Sequence, residues 1–282
     1  MSIGLAIDSN SQIPAELIDK YDVEVVPISV SVDGVDYQEG VDLDADGFYA
    51  LFGEDAPEVT TSQPSPGAFI EAYERLMARG ATEILSVHVG ASFSGTINSA
   101  RIASESISAP VQLVDTETMS FGITCCLWEA AEAIRAGADL QAAADVAGGV
   151  AARVRSTFIV QALDFARAGG RWEGRVAPEG DGIPVMTMGP GDAFAVSGTA
   201  HTVDDLCDLM VAEVAAGGAP MRAAVCIADA AAAPFWEGIE SRLRGRSDVV
   251  DLVRYRVGPS VGAHTGPGTA GAFWYPVRPD GT

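Results

Sequence analysis

Apolar positions in the first half of the chain switch repeatedly between strand-like runs and helical spacing. Residues 3–8 read as a buried strand and residues 12–21 as a short helix. The runs 23–32 and 35–38 flank Asp33-Gly34, a pair suited to a tight hairpin turn. Ser65-Pro66 then opens a helix. The serine hydroxyl can accept a free backbone N–H, and proline fits the first helical position. Phe69, Tyr73, Leu76 and Met77 share one face of that helix. A strand over 84–89, a turn at Gly90–Gly95, and a helix through Ile107 come next. After them come a strand over 111–114 and a helix over 121–135. Strand–helix units of this length predict a mostly parallel sheet with flanking helices and right-handed crossovers.

The second half is less regular. A helix over 140–154 leads to an apolar strand at 158–160, and Gly169-Gly170, Gly180–Gly182 and Gly189–Gly191 punctuate the chain beyond it. Helices over 203–215 and 233–244 enclose a strand at 223–228, and strands over 249–257 and 272–276 close the chain. A boundary in a turn at Arg155-Ser156 divides it into an N-terminal α/β domain, 1–155, and a smaller C-terminal α/β domain, 156–282. No internal repeat or low-complexity linker separates them, so close packing of the two is expected.

Composition narrows the function. The chain has 282 residues, 48% of them apolar, enough for a sizeable core. It carries 17 basic and 39 acidic residues, a net charge of -22, and Lys20 is its only lysine. Such a surface repels nucleic-acid phosphates and anionic membrane leaflets. The opening Met1-Ser2-Ile3-Gly4 lacks a basic stretch, and no apolar run reaches transmembrane length. A cytoplasmic protein is therefore expected. Cys125, Cys126, Cys207 and Cys226 form no CxxC and read as buried thiols of a reducing compartment.

Three segments concentrate small hydroxyl residues and glycine: Thr60–Pro66, Ser92–Thr96 and Gly258–Gly268. The second follows a parallel strand and precedes a helix, where free N–H groups favour an anion. Ser94 and Thr96 can cap that helix or donate to a ligand; one cap explains one hydroxyl, but not three such loops. Gly90-Ala91-Ser92-Phe93-Ser94 approaches the G-x-S-x-G nucleophile elbow, and Ser92 with His264 and an aspartate would complete a triad. Ser94, however, stands where close backbone approach requires glycine. Gly266–Gly271 fits a bare GxGxxG with too little chain after it for a βαβ unit, and no Gly-Lys-Ser/Thr occurs. His88, His201 and His264 lie far apart, so no metal site is expected. His88 reads as a core histidine; His264, among glycines in a loop, reads as a site residue.

Taken in order, these segments resemble the DegV family along nearly the whole chain. The resemblance is carried by Ile7-Asp8-Ser9-Asn10-Ser11-Gln12-Ile13-Pro14, Val26-Pro27-Ile28, and Asp33 through Leu43. It continues in Thr61-Ser62-Gln63-Pro64-Ser65, Ser94-Gly95-Thr96 with Ser99-Ala100, and Val114-Asp115-Thr116. Ala168-Gly169-Gly170-Arg171 and Gly262 through Gly268 complete it. The resemblance implies two α/β domains that bury a long-chain fatty acid. It also implies a separate fatty-acid kinase that converts the presented carboxylate to an acyl phosphate. By resemblance Thr61 and Ser94 donate to the carboxylate, Ser62 supports the head group and His264 lies beside it. No catalytic residue, cofactor or stable membrane insertion is implied. Glu39 replaces the family's usual aspartate. Gly182-Ile183-Pro184 and Ser197-Gly198-Thr199-Ala200 lack the basic residues many members carry in the region associated with kinase docking. A serine hydrolase of an ester or thioester, or a carrier of another amphiphile, are the competing readings.

Overall fold

The computed structural model describes residues 2–53, 55–168, 181–190, 193–218 and 220–277. In chain order it begins β1 (Ile3–Asp8), α1 (Ala15–Tyr21), β2 (Val23–Val26), β3 (Ser29–Val32), β4 (Val35–Gln38), α2 (Ala45–Ala50) and β5 (Val59–Ser62). It continues α3 (Pro66–Ala78), β6 (Glu83–His88), α4 (Thr96–Ser104), β7 (Val111–Asp115), α5 (Phe121–Arg135) and α6 (Leu140–Ala151). The rest is β8 (Arg155–Ile159), α7 (Leu163–Ala168), β9 (Ile183–Gly189), β10 (Ala193–Ala200), α8 (Val203–Ala215), β11 (Met221–Ile227), α9 (Ala233–Leu243), β12 (Val249–Arg256), α10 (Pro259–Thr265) and β13 (Ala270–Pro276).

Two compact units result, one of residues 1–29 and 61–152, the other of residues 30–60 and 153–282. The sequence division at 155 thus differs by little at its C-terminal side, but the segment 30–60 clusters with the second unit. Arg155 and Ser156 lie inside β8 rather than in a turn. With the added segment, and a six-stranded sheet against four strands, the second unit is not the smaller one.

The first unit is an all-parallel sheet in the order β2-β1-β6-β7. Helices α3 and α4 pack together against it, as do α5 and α6. Ala6, Val26 and Ile84 meet Phe69, Ala72, Tyr73 and Leu76 of α3, with Ala100 and Ala103 of α4, in one core. Ser65 caps α3 as its sequence implies, its Oγ accepting from the Ala68 N–H at 3.2 Å, with Pro66 in the first turn. Phe69, Tyr73 and Leu76 are buried and Met77 packs at the margin.

The expected strand over 23–32 is two strands. Pro27 has no N–H to give a ladder, so pairing stops there. Strand β2 stays beside β1, whereas β3 joins a separate three-stranded sheet, β4-β3-β5. Asp33 (φ 49°) and Gly34 (φ 80°) form the expected hairpin turn.

In the second unit the sheet order is β10-β9-β8-β13-β11-β12. Only β11 and β12 run parallel; the other neighbours are antiparallel. Leu206, Met210 and Val214 of α8 and Phe235, Ile239 and Leu243 of α9 cover one face, against Val225, Ile227, Ala272 and Trp274. Helices α7 and α10 pack against each other. No helix among the described residues is long and apolar enough to cross a membrane.

Candidate functional site

The loop after β6 is built around a glycine. A Cβ on Gly90 would stand 2.9 Å from Glu117 Cα and 3.1 Å from the Thr118 nitrogen, so only glycine lets these backbones touch. Gly90 N–H donates to Thr118 O at 2.8 Å, and the N–H groups of Phe93 and Ser94 return to Gly90 O at 2.9 and 3.2 Å. The turn delivers Ser94 to the start of α4, whose N-cap, Gly95, has no side chain to offer.

Ser94 fills that role partly. Its Oγ lies 2.8 Å from Thr96 Oγ1 and accepts from the Thr96 N–H at 3.3 Å. Thr96 is fully buried and Ser94 half-buried. A serine oxygen has two lone pairs and one proton. Either hydroxyl can donate in that pair; where Thr96 Oγ1 does, Ser94 keeps its own proton for a third partner. The site therefore combines a helix start with a directed O–H donor, which suits an anion. Capping and donation are compatible here, not competing.

Strand β5 carries the other hydroxyls. Its alternation leaves Thr61 half-buried and turns Thr60 and Ser62 outward. Ser62 therefore lies on the opposite side of the strand from Thr61. Gln63, whose type alone points to no role, joins the two loops. Its Nε2 donates to Ser99 Oγ of α4 at 3.2 Å, and its Oε1 would lie 2.0 Å from a Cβ on Gly95. The signal was present in Gly95, whose missing side chain leaves room for the amide. Replacing Gly95 by alanine is expected to expel the Gln63 side chain. Because a flexible amide can move, the stability loss should stay within about 1 kcal/mol, read from thermal unfolding. The Gln63–Ser99 hydrogen bond should be lost in a crystal structure of the variant.

His264 belongs to the second unit, whereas Thr61, Ser62 and Ser94 belong to the first. It stands half-buried in α10, not in a loop as its glycine neighbours implied. Those glycines answer packing. A Cβ on Gly262 would meet Tyr49 Oη at 2.6 Å and Phe48 at 2.7 Å, and one on Gly266 (φ 71°) would meet Phe165 at 2.8 Å. The Gly266–Gly271 pattern runs into β13 rather than a helix, so it forms no dinucleotide turn.

Ser92 is exposed and precedes the first residue of α4 by four positions, so it does not occupy the sharp strand-to-helix junction of a nucleophile elbow. His88 is a buried core histidine with both ring nitrogens engaged, by Asp8 and Ser86. All four cysteines are buried. Burial pushes Cys207 up to about 11 and Cys226 up to about 12, which keeps both protonated. Among the described residues no cluster of three or more His, Cys, Asp or Glu side chains could hold a metal ion.

A family model described as an uncharacterised protein of the DegV family matches residues 2–277. The chain belongs to the DegV family. A DegV domain-containing protein of Streptomyces coelicolor is 31% identical over 274 residues, spanning 95% of this chain and 96% of its own. A Thermus thermophilus DegV protein, described by its fatty-acid binding, matches with a TM-score of 0.84 at 28% identity, covering 98% of this chain and 100% of the other. A stearic-acid-binding protein of Eubacterium ventriosum shares the fold, with a TM-score of 0.83 at 23% identity over 98% of each chain.

The DegV motifs can now be placed. Asp8 through Ser11 end β1 and form a short 3-10 turn, with Asp8 accepting the Asn10 N–H. Glu39 is buried and accepts the Ser260 N–H at 2.9 Å, tying the second motif to the start of α10. Asp115 accepts the N–H groups of Ala91 and Glu117, bracing the Gly90 turn from β7. Gly169, Gly170 and Arg171 of a further motif, with Gly180 and Gly191, lie outside the described residues.

Proposed function

We propose that this DegV protein is a non-catalytic carrier of a long-chain fatty acid. Thr61 and Ser94 donate to the acyl carboxylate, Ser62 supports the head group, and His264 stands beside it. The carried acid is presented to a separate fatty-acid kinase in the cytoplasm for conversion to an acyl phosphate. The observation that carries this reading is the Ser94 hydroxyl at the start of α4, which accepts the Thr96 N–H and lies 2.8 Å from Thr96 Oγ1, an arrangement in which its own proton can serve a ligand. The description of the Thermus thermophilus relative as fatty-acid binding supports the ligand class. The hydrolase reading loses ground because Ser92 lies outside an elbow.

Burying an acyl tail contributes about 0.8 kcal/mol per methylene, roughly 10 kcal/mol gross for a sixteen-carbon chain. Ordering offsets much of that, yet enough remains for the lipid to survive purification. Native mass spectrometry is expected to show the protein with an added fatty-acid mass, released by organic extraction. A preparation that gives only the unliganded mass, and takes up no added fatty acid, overturns the carrier reading. Ester turnover lost in Ser92→Ala and kept in Ser94→Ala would install the hydrolase instead.

A further inference from the structure

Within the first unit a chain of buried polar side chains runs from α3 to the end of β1. Tyr73 Oη lies 2.9 Å from Ser86 Oγ, Ser86 Oγ lies 2.7 Å from His88 Nε2, and His88 Nδ1 lies 3.0 Å from Asp8 Oδ2. All four residues have 0% exposure. Asp8 Oδ2 also accepts the Val89 N–H at 2.9 Å, and its Oδ1 accepts the Asn10 N–H at 3.1 Å. Asn10 Oδ1 accepts the Ser120 N–H at 3.0 Å, which extends the chain to the start of α5.

One placement of the hydrogens satisfies every member of the chain. A carboxylate that accepts two backbone N–H groups takes a third hydrogen from His88 Nδ1. In that placement Nε2 accepts from Ser86, and Ser86 accepts from Tyr73. Burial pushes the Tyr73 phenol up to about 12, so it stays a donor. The Phe69 ring meets the imidazole edge-on, at 5.1 Å and 87°.

Ser86, His88 and Asp8 have the composition of a catalytic triad, but their burial closes them to any substrate. Their attachments point to another use. Tyr73 sits on the helix that starts directly after the Thr61–Ser65 loop, and Val89 immediately precedes the Gly90 turn that carries Ser94. Apolar side chains would hold α3 on the sheet without such a chain. A fully satisfied polar chain accepts far fewer arrangements, because a shift leaves a buried group unpaired.

We propose that His88, with Asp8, Ser86 and Tyr73, is a positioning group that sets the Thr61 and Ser94 loops in register for one carboxylate. This rests on the carrier reading and adds to it the buried frame on which the head-group site hangs.

The test uses the full chain loaded with palmitate enriched in 13C at its carboxyl carbon. The wild-type protein is expected to give one narrow carboxyl resonance, and 15N spectra should show the His88 proton on Nδ1. Ser86→Ala interrupts the chain at its middle, and Tyr73→Phe removes its terminal hydroxyl with little change of shape. Both should keep the lipid, while the carboxyl resonance shifts or broadens. Kinase-coupled turnover should fall roughly a hundredfold, as a misplacement of about 1 Å does. Ile239→Val, a core change in the second unit, controls for stability and should leave the resonance in place. If Ser86→Ala does not fold, Tyr73→Phe decides. A wild-type resonance and turnover in the chain variants that fold overturns the inference alone. So does a carboxyl shift in Ile239→Val as large as theirs, or a His88 proton on Nε2. A wild-type protein that binds no palmitate overturns the carrier reading and this inference with it.

Discussion

Thr61→Ala/Ser94→Ala protein is expected to retain its fatty acid and to lose acyl-phosphate formation almost completely. A hydrogen bond to a charged carboxylate contributes about 1.5–3 kcal/mol, so losing two costs roughly 3–5 kcal/mol of binding. That is less than the tail supplies. Phosphoryl transfer depends on where the carboxylate oxygen points far more than on how tightly the chain is held. Assayed with the cognate kinase at saturating lipid, turnover should therefore fall by several orders of magnitude. Over the same substitutions the dissociation constant should rise by a few. An equal fall in both would reduce the two hydroxyls to anchors and remove their positioning role.

A second large effect is expected at Gly271, far in sequence from those loops. It lies on β13, opposite Phe158 of β8 and Cys226 of β11. A Cβ there would stand 2.4 Å from the Thr157 carbonyl oxygen and 2.7 Å from Phe158 Cβ. The first neighbour is main chain in the middle of a sheet and cannot swing aside. Gly271→Ala should cost about 2–3 kcal/mol, within the range for overpacked cores. A urea titration should show this as a lowered midpoint. Gly245 has nothing within 4 Å of an added Cβ, and its alanine variant should unfold close to wild type. Matching midpoints for the two variants would mean that β8 and β13 separate more readily than their packing implies.

The parallel sheet of the first unit was legible because its signals are local. Ser65-Pro66 marks a helix start, Phe69, Tyr73 and Leu76 mark its buried face, and the residues 121–135 pattern gave α5 at its full length. The path of residues 30–60 was not legible, because its partners lie beyond residue 153 and no local pattern encodes them. Glycine misled at α10. The glycines around His264 suggest a loop, yet Gly262 and Gly266 are there so that a helix can pass Phe48, Tyr49 and Phe165. Histidine is the safer signal, since the apolar run around His88 implies its burial. The same run concealed that Asp8, eighty positions earlier, would be its partner.

The six-stranded sheet carries a consequence for the order of synthesis. Strand β13 lies between β8 and β11, yet it follows every other strand of that sheet in the chain. On the ribosome, β8 and β11 have no direct partnership to form, and each leaves an edge unpaired until Ala270–Pro276 emerges. The first unit is complete in sequence by residue 152 and can collapse early, with residues 30–60 paid out as a long loop. For the whole interval the nascent chain holds open strand edges of the kind that recruit other chains. The step most exposed to aggregation, and most in need of a chaperone, is thus the last insertion and not the first collapse.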